Sequence, residues 1–132
     1  MVLNTFLGLT GVMGFMDNKV MISKDVVILY YKRLSGRVYK TLPIIEGKDL
    51  SGKIVFLPEI AKENFKKHIS KLLVEIHGNS DIFFDTEYAV EVRGILRSML
   101  MEVDIDNKPE IRTLVFDCIS LLHKAVEQLE KG

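Results

Sequence analysis

The chain has 132 residues, enough for one domain with a sizeable core, and its eighteen basic residues cancel its eighteen acidic ones. That balance excludes the global charge signal of a polyelectrolyte that binds nucleic acid or membrane surfaces non-specifically. The lone cysteine, Cys118, excludes an intramolecular disulfide and fits a reducing compartment. No apolar run reaches the length of a membrane span, and the first sixteen residues lack the leading Lys or Arg of a signal peptide. The expectation is a cytoplasmic protein with no membrane association. It reads as a single domain over 1–132, with 1–22 as an apolar N-terminal segment and 23–132 as a helical bundle.

Charge is unevenly spread. Residues 1–53 hold eight Lys/Arg against four Asp/Glu, 54–78 hold four against three, and 79–132 hold six against eleven. A basic front and an acidic back can attract each other within one fold, which is the preferred reading. They can also steer a partner or favour head-to-tail self-contact.

In chain order, residues 1–22 are apolar and interrupted by Gly8, Gly11 and Gly14, which disfavour a helix. Phe6, Leu7, Val12, Met13, Phe15 and Met16 need burial. They are the candidate interface of a homodimer, because the glycines make a poor autonomous helix and methionines suit an adaptable contact. Over 23–42, Ser23 can cap a helix whose face is Val27, Tyr31, Leu34, Val38 and Leu42. The alternative is a hairpin with strands 26–33 and 37–42 turning at Ser35-Gly36, since VVILYY is β-branched and aromatic. Helix is favoured, and Pro43 is expected to end it.

Residues 43–57 carry turn signals at Glu46-Gly47, Asp49 and Ser51-Gly52, with a short extended piece at 53–56. A helix over 58–77 opens at Pro58-Glu59 and is expected to close at Gly78-Asn79. Its stripe is Ala61, Phe65, Ile69, Leu72 and Ile76. NSDIFF, 79–84, reads as a connector. The next helix runs from Asp85 or Thr86 to about Met101, with Tyr88, Val92, Ile95, Met99 and Leu100 inward, and Gly94 open to close approach by a neighbour. The acidic link EVDIDNK leads to the strongest helix of the chain, from Pro109 to Lys131. Asn107 is its N-cap, and its face is Ile111, Val115, Cys118, Leu122, Val126 and Leu129. The fold class expected is all-α, a bundle of about four helices, with the short hairpin or extended piece confined to 26–56.

Candidate chemistry is sparse. His68, His77 and His123 lack the i, i+4 spacing of a one-helix zinc site, and no metal or cofactor is expected. A calcium loop starting at Asp104 fails at position six, Pro109, and position twelve, Val115, so Glu102, Asp104 and Asp106 read as a solvated, helix-capping link. Asp81, Asp85, Glu87 and Glu91 cluster at a helix start and give a third-ranked enzyme reading through a carboxylate site. Cys118 sits on an apolar stripe, where a thiol acts as a small hydrophobe. No GxxxxGK[ST], GxGxxG or GxSxG is present. The basic residues Lys32, Arg33, Arg37 and Lys40 interleave with Tyr30, Tyr31 and Tyr39, and Lys62, Lys66, Lys67 and Lys71 can extend the patch. Cations on phosphate with tyrosine on bases is a nucleic-acid pairing.

The segment LPIIEGKD, followed by PEIAKENFKKHISKLLVEIHGNSDIFF, resembles small uncharacterised proteins carried by phages and mobile elements of Gram-positive bacteria. It covers residues 42–84. The resemblance implies an accessory protein that inhibits a host factor or defence system, and it assigns no site residue. The leading expectation is therefore a non-enzymatic regulatory or inhibitory protein, a homodimer that binds a host protein. The runner-up is a nucleic-acid-binding regulator.

Overall fold

The computed structural model describes residues 23–83 and 86–131, and at 79–83, 86, 87 and 89 the backbone alone. Four long helices and one short one follow in order: α1 (Lys24–Tyr39), α2 (Thr41–Ile45), α3 (Pro58–Phe83), α4 (Thr86–Asp104) and α5 (Lys108–Lys131). The fold is the all-α bundle of about four helices that the periodicity predicts. Among the described residues the only β feature is an isolated antiparallel bridge between Lys48 and Ile54, where the extended piece falls.

α1 starts as its sequence dictates. Ser23 is extended, at φ −67° and ψ 150°, and its hydroxyl accepts the Val26 N–H at 3.3 Å. The helix passes through Ser35-Gly36 without turning, so the hairpin alternative does not form. Burying Tyr31, Leu34 and Val38 on one face outweighs the β preference of VVILYY. The break comes earlier than expected, at Lys40, and Pro43 lies inside α2. Pro43 has no N–H for the Tyr39 carbonyl and its ring would press on it, so the chain restarts at Thr41. Proline is then harmless in the first turn of the new helix. Thr41 Oγ donates to the Val38 carbonyl at 2.7 Å, which satisfies one of the carbonyls α1 leaves at its end.

α3 also differs from expectation. It does not stop at Gly78-Asn79 but continues to Phe83, and Gly78 is not left-handed. A helical glycine costs about 1 kcal/mol relative to alanine. Such a cost does not end a helix whose face, Ala61, Phe65, Ile69, Leu72 and Ile76, is wholly buried. On α4 the buried positions are Val92, Leu96, Met99 and Val103, spaced four, three and four. Leu96 and Val103 replace Ile95 and Leu100 at the centre, and those two with Tyr88 are only partly covered. Gly94 is exposed, and among the described residues none approaches it closely.

The α4–α5 corner is set by two residues. Asp106 takes a left-handed conformation, φ 56°, just beyond α4. Its N–H reaches the Val103 carbonyl at 3.1 Å, and the Asn107 N–H reaches that of Glu102 at 3.0 Å, the paired closure of a helix C-terminus. Asn107 then caps α5, accepting from the Glu110 N–H at 3.4 Å and donating to Glu102 at 2.9 Å. α5 packs against both α1 and α4, and α4 packs against α3.

Ile111, Val115, Cys118 and Leu122 of α5 are buried at the centre of this arrangement. Burial pushes the Cys118 thiol up to about 12. The expected cost of Leu122→Ala is about 2–5 kcal/mol, from lost burial and a residual cavity. Urea melts of both proteins measure it, and a loss under about 1 kcal/mol would contradict the buried position.

Candidate interaction surface

Between α2 and α3 the chain makes a short hairpin that its polar residues hold in place. Gly47 has φ +75°, and its carbonyl accepts the N–H groups of Val55 at 2.9 Å and Phe56 at 3.1 Å. A Cβ on Gly47 would lie 2.7 Å from the Phe56 carbonyl oxygen. Only glycine meets both demands, a left-handed backbone and a strand pressed against it. At the tip, the Asp49 carboxylate accepts the Ser51 hydroxyl at 2.6 Å, the Ser51 N–H at 2.9 Å and the Lys53 N–H at 3.1 Å. Asp49 N–H donates to the Lys53 carbonyl at 2.9 Å, and Gly52 follows at φ +88°. The Ser51 hydroxyl first, and the Lys53 N–H next, hold the Asp49 carboxyl below its usual range. A depressed carboxyl stabilises the folded tip above pH 3.8, and this contribution is lost as the pH falls below it.

What this hairpin displays is apolar. Leu50 is fully exposed, Ile54 is 67% exposed and Leu57 65%, and Val55, Phe56 and Ile60 are open to solvent beside them. Isolated exposed hydrophobes are ordinary, but a concentration of them in one short stretch marks a contact site. Nothing in the periodicity of the sequence points to it. The run Ile54–Leu57 has turn residues before it and Pro58 after it, and belongs to no helical stripe.

The basic residues named from the sequence separate. Lys32, Arg33 and Tyr39 lie exposed on α1 and Lys40 at its C-cap, and Tyr39 meets Phe116 of α5 edge-on with ring centres 6.3 Å apart. Arg37 turns toward α3, where its guanidinium is 2.6 Å from Glu75. His68 Nε2 lies 2.9 Å from the Arg37 carbonyl oxygen and, since a carbonyl only accepts, Nε2 carries the proton. Lys66 faces α4 and pairs with Asp104 at 2.6 Å, while Lys67, one residue on, is exposed. Adjacent helical residues lie about 100° apart around the axis, so the two cannot share a face. Lys62 pairs with Asp106 at 3.0 Å. The hydrogen bond from Lys66 holds the Asp104 carboxyl below its usual range and raises the Lys66 ammonium.

His77 Nδ1 lies 3.1 Å from the Arg93 guanidinium, and His123 is exposed. Among the described residues no three His, Cys, Asp or Glu side chains are grouped to hold a metal. No described helix is long and apolar enough to cross a membrane. The candidate interface residues Phe6, Leu7, Val12, Met13, Phe15 and Met16 lie outside the described residues, as do the side chains of Asp81, Asp85 and Glu87. Glu91 is exposed on α4. No family model, curated protein or solved structure matches the chain.

Gly47→Ala is expected to cost about 1–3 kcal/mol, the usual price of a side chain in a left-handed site. Gly52→Ala, with a positive φ but open space around it, is expected to cost less. Hydrogen exchange reads the local effect, because the Val55 and Phe56 amides lose their acceptor geometry only in the Gly47 variant. Equal exchange in both variants would contradict the contact.

Proposed function

We propose that the chain is a non-enzymatic binding protein that docks the apolar hairpin at residues 50–60 on another protein. One observation carries the reading: Leu50, Ile54 and Leu57 stand in solvent on a hairpin fixed by Gly47 and Asp49. Apolar side chains left in water cost about 25 cal/mol per Å2 relative to burial, so covering them drives association. A hairpin already held in one conformation loses little entropy when it docks. The resemblance of residues 42–84 to accessory proteins of phages and mobile elements supports a host factor as the target. In this reading the protein works in the cytoplasm as a regulator or inhibitor, and as a homodimer.

The test compares the wild-type chain with Leu50→Asp combined with Leu57→Asp. Both sites are exposed, so stability is expected to change by no more than about 0.5 kcal/mol per site. Each protein, immobilised, is exposed to a lysate of a Gram-positive host, and retained proteins are identified by mass spectrometry. A protein held by the wild type and lost by the variant is expected. Identical retention by both would sink the reading.

A second reading has its own observation. Lys32, Arg33 and Lys40 make no ion pair among the described residues, and Tyr39, next to Lys40 in the chain, meets Phe116 edge-on. A nucleic-acid backbone laid along α1 would meet these cations with an aromatic pair beside them. Arg33→Ala with Lys40→Ala is then expected to weaken binding and flatten its salt slope by about one to two units. Absence of any gel retardation of DNA or RNA by the wild type at low salt eliminates this reading.

A further inference from the structure

Beside the hairpin lies a pocket of about 230 Å3 lined by Ile44, Lys48, Phe56, Asn64, His68 and Lys71. Phe56 belongs both to its wall and to the apolar ridge. The polar lining is cationic or neutral: Lys48 comes from the hairpin, Asn64, His68 and Lys71 from α3, and among the described residues no carboxylate lines the space. Two acids on adjoining turns do not fill that lack. Glu75 is taken by Arg37 at 2.6 Å, and Glu46 reaches Lys48 only at 3.9 Å. His68 is held in place by its hydrogen bond to the Arg37 carbonyl. Water occupies about 30 Å3 per molecule in the liquid, so the pocket has room for a side-chain carboxylate together with bridging water.

An apolar ridge that runs into a cationic pocket defines a partner chemistry. A phosphodiester chain would satisfy the lysines but leave Leu50, Val55 and Leu57 bare. A purely apolar segment would cover the ridge and leave Lys71 with no counter-charge among the described residues and Lys48 with only the 3.9 Å contact to Glu46. Resting on the docking reading above, we propose that the segment bound at the hairpin is an acidic, apolar peptide. Its apolar residues lie on Phe56 and Leu57, and a neighbouring Asp or Glu places its carboxylate between Lys48 and Lys71.

The experiment uses the full-length chain as bait for a displayed library of random peptides. The enriched consensus, made with a fluorescent label, is titrated by anisotropy against three proteins: wild type, Lys48→Gln with Lys71→Gln, and Leu50→Asp with Leu57→Asp. The consensus is expected to carry Asp or Glu beside paired apolar residues. Removing both lysines is expected to weaken binding about tenfold and to remove most of its salt dependence. Lys71→Gln alone, on an exposed turn of α3, leaves the hairpin untouched and is expected to weaken binding about threefold. The ridge variant is expected to abolish it. A consensus without acids, bound equally by the lysine variants and lost by the ridge variant, would overturn the acidic anchor and leave the docking reading in place. No enrichment, or a consensus indifferent to the ridge variant, would overturn both.

Discussion

The bundle depends on the burial of one continuous face of α5. That face carries Ile111, Val115, Cys118, Leu122 and Val126 and is packed on one side by α1 and on the other by α4. α3 meets α1 through polar contacts, Arg37 and Tyr30 with Glu75 and His68 with the Arg37 carbonyl, and the buried side chains of the two helices share one core. Removing α5 would take from α1 and α4 the helix each packs against most, whereas the ion pairing of the α1–α3 seam lies at partly exposed positions and is worth about 1 kcal/mol or less. The direction of α5 is fixed at its start. Asp106 in a left-handed conformation turns the chain, and Asn107 closes α4 and opens α5 at once.

The same corner carries two ion pairs. The acids of the α4–α5 link face the lysines that open α3, Asp104 on Lys66 and Asp106 on Lys62. These pairs join the acidic back, 79–132, to the near-neutral stretch 54–78, whereas the cations of the basic front pair elsewhere, Arg37 with Glu75 and Lys48 with Glu46. Exposed pairs of this kind orient more than they stabilise. Their consequence for function is subtractive: Lys62 and Lys66 are occupied, as is Arg37, so the patch of cations foreseen on α1 and α3 shrinks to Lys32, Arg33 and Lys40, with Lys67 and Lys71 on α3.

Helical periodicity made most of the core legible. Each residue of the α3 stripe is buried, and on α5 only Leu129 falls short of full burial. Where the reading failed, a local signal was overruled by packing. Gly78-Asn79 looks like a cap, but Leu72 and Ile76 are already seated and extension by another turn costs little. Pro43 looks like a stop, but the clash it causes acts four residues earlier, so the helix breaks at Lys40 and restarts. The hairpin was legible only as turns. Asp49, Ser51 and Gly52 announce a tight loop, yet nothing in LPIIEGKD or KIVFLP says whether Ile54–Leu57 face inward, because an apolar run without period assigns no face. Its exposure depends on the backbone contact at Gly47, which is a tertiary fact.

That contact also bears on why so apolar a loop stays open. Ile54, Val55 and Leu57 could fold back on the bundle if the loop were free to move. Gly47 prevents it by holding the strand with two hydrogen bonds through its own carbonyl, while Asp49 ties down the tip with three more. Neither set involves the apolar side chains, so the polar scaffold fixes the backbone and leaves Leu50, Ile54 and Leu57 for another surface. Because the ordering cost is met within the free chain, the area these residues bury on docking converts more fully into affinity than it would from a loose loop. The pocket lined by Lys48 and Lys71 shares Phe56 with the ridge, so in the proposed complex the partner's charge and its apolar residues meet adjoining surfaces.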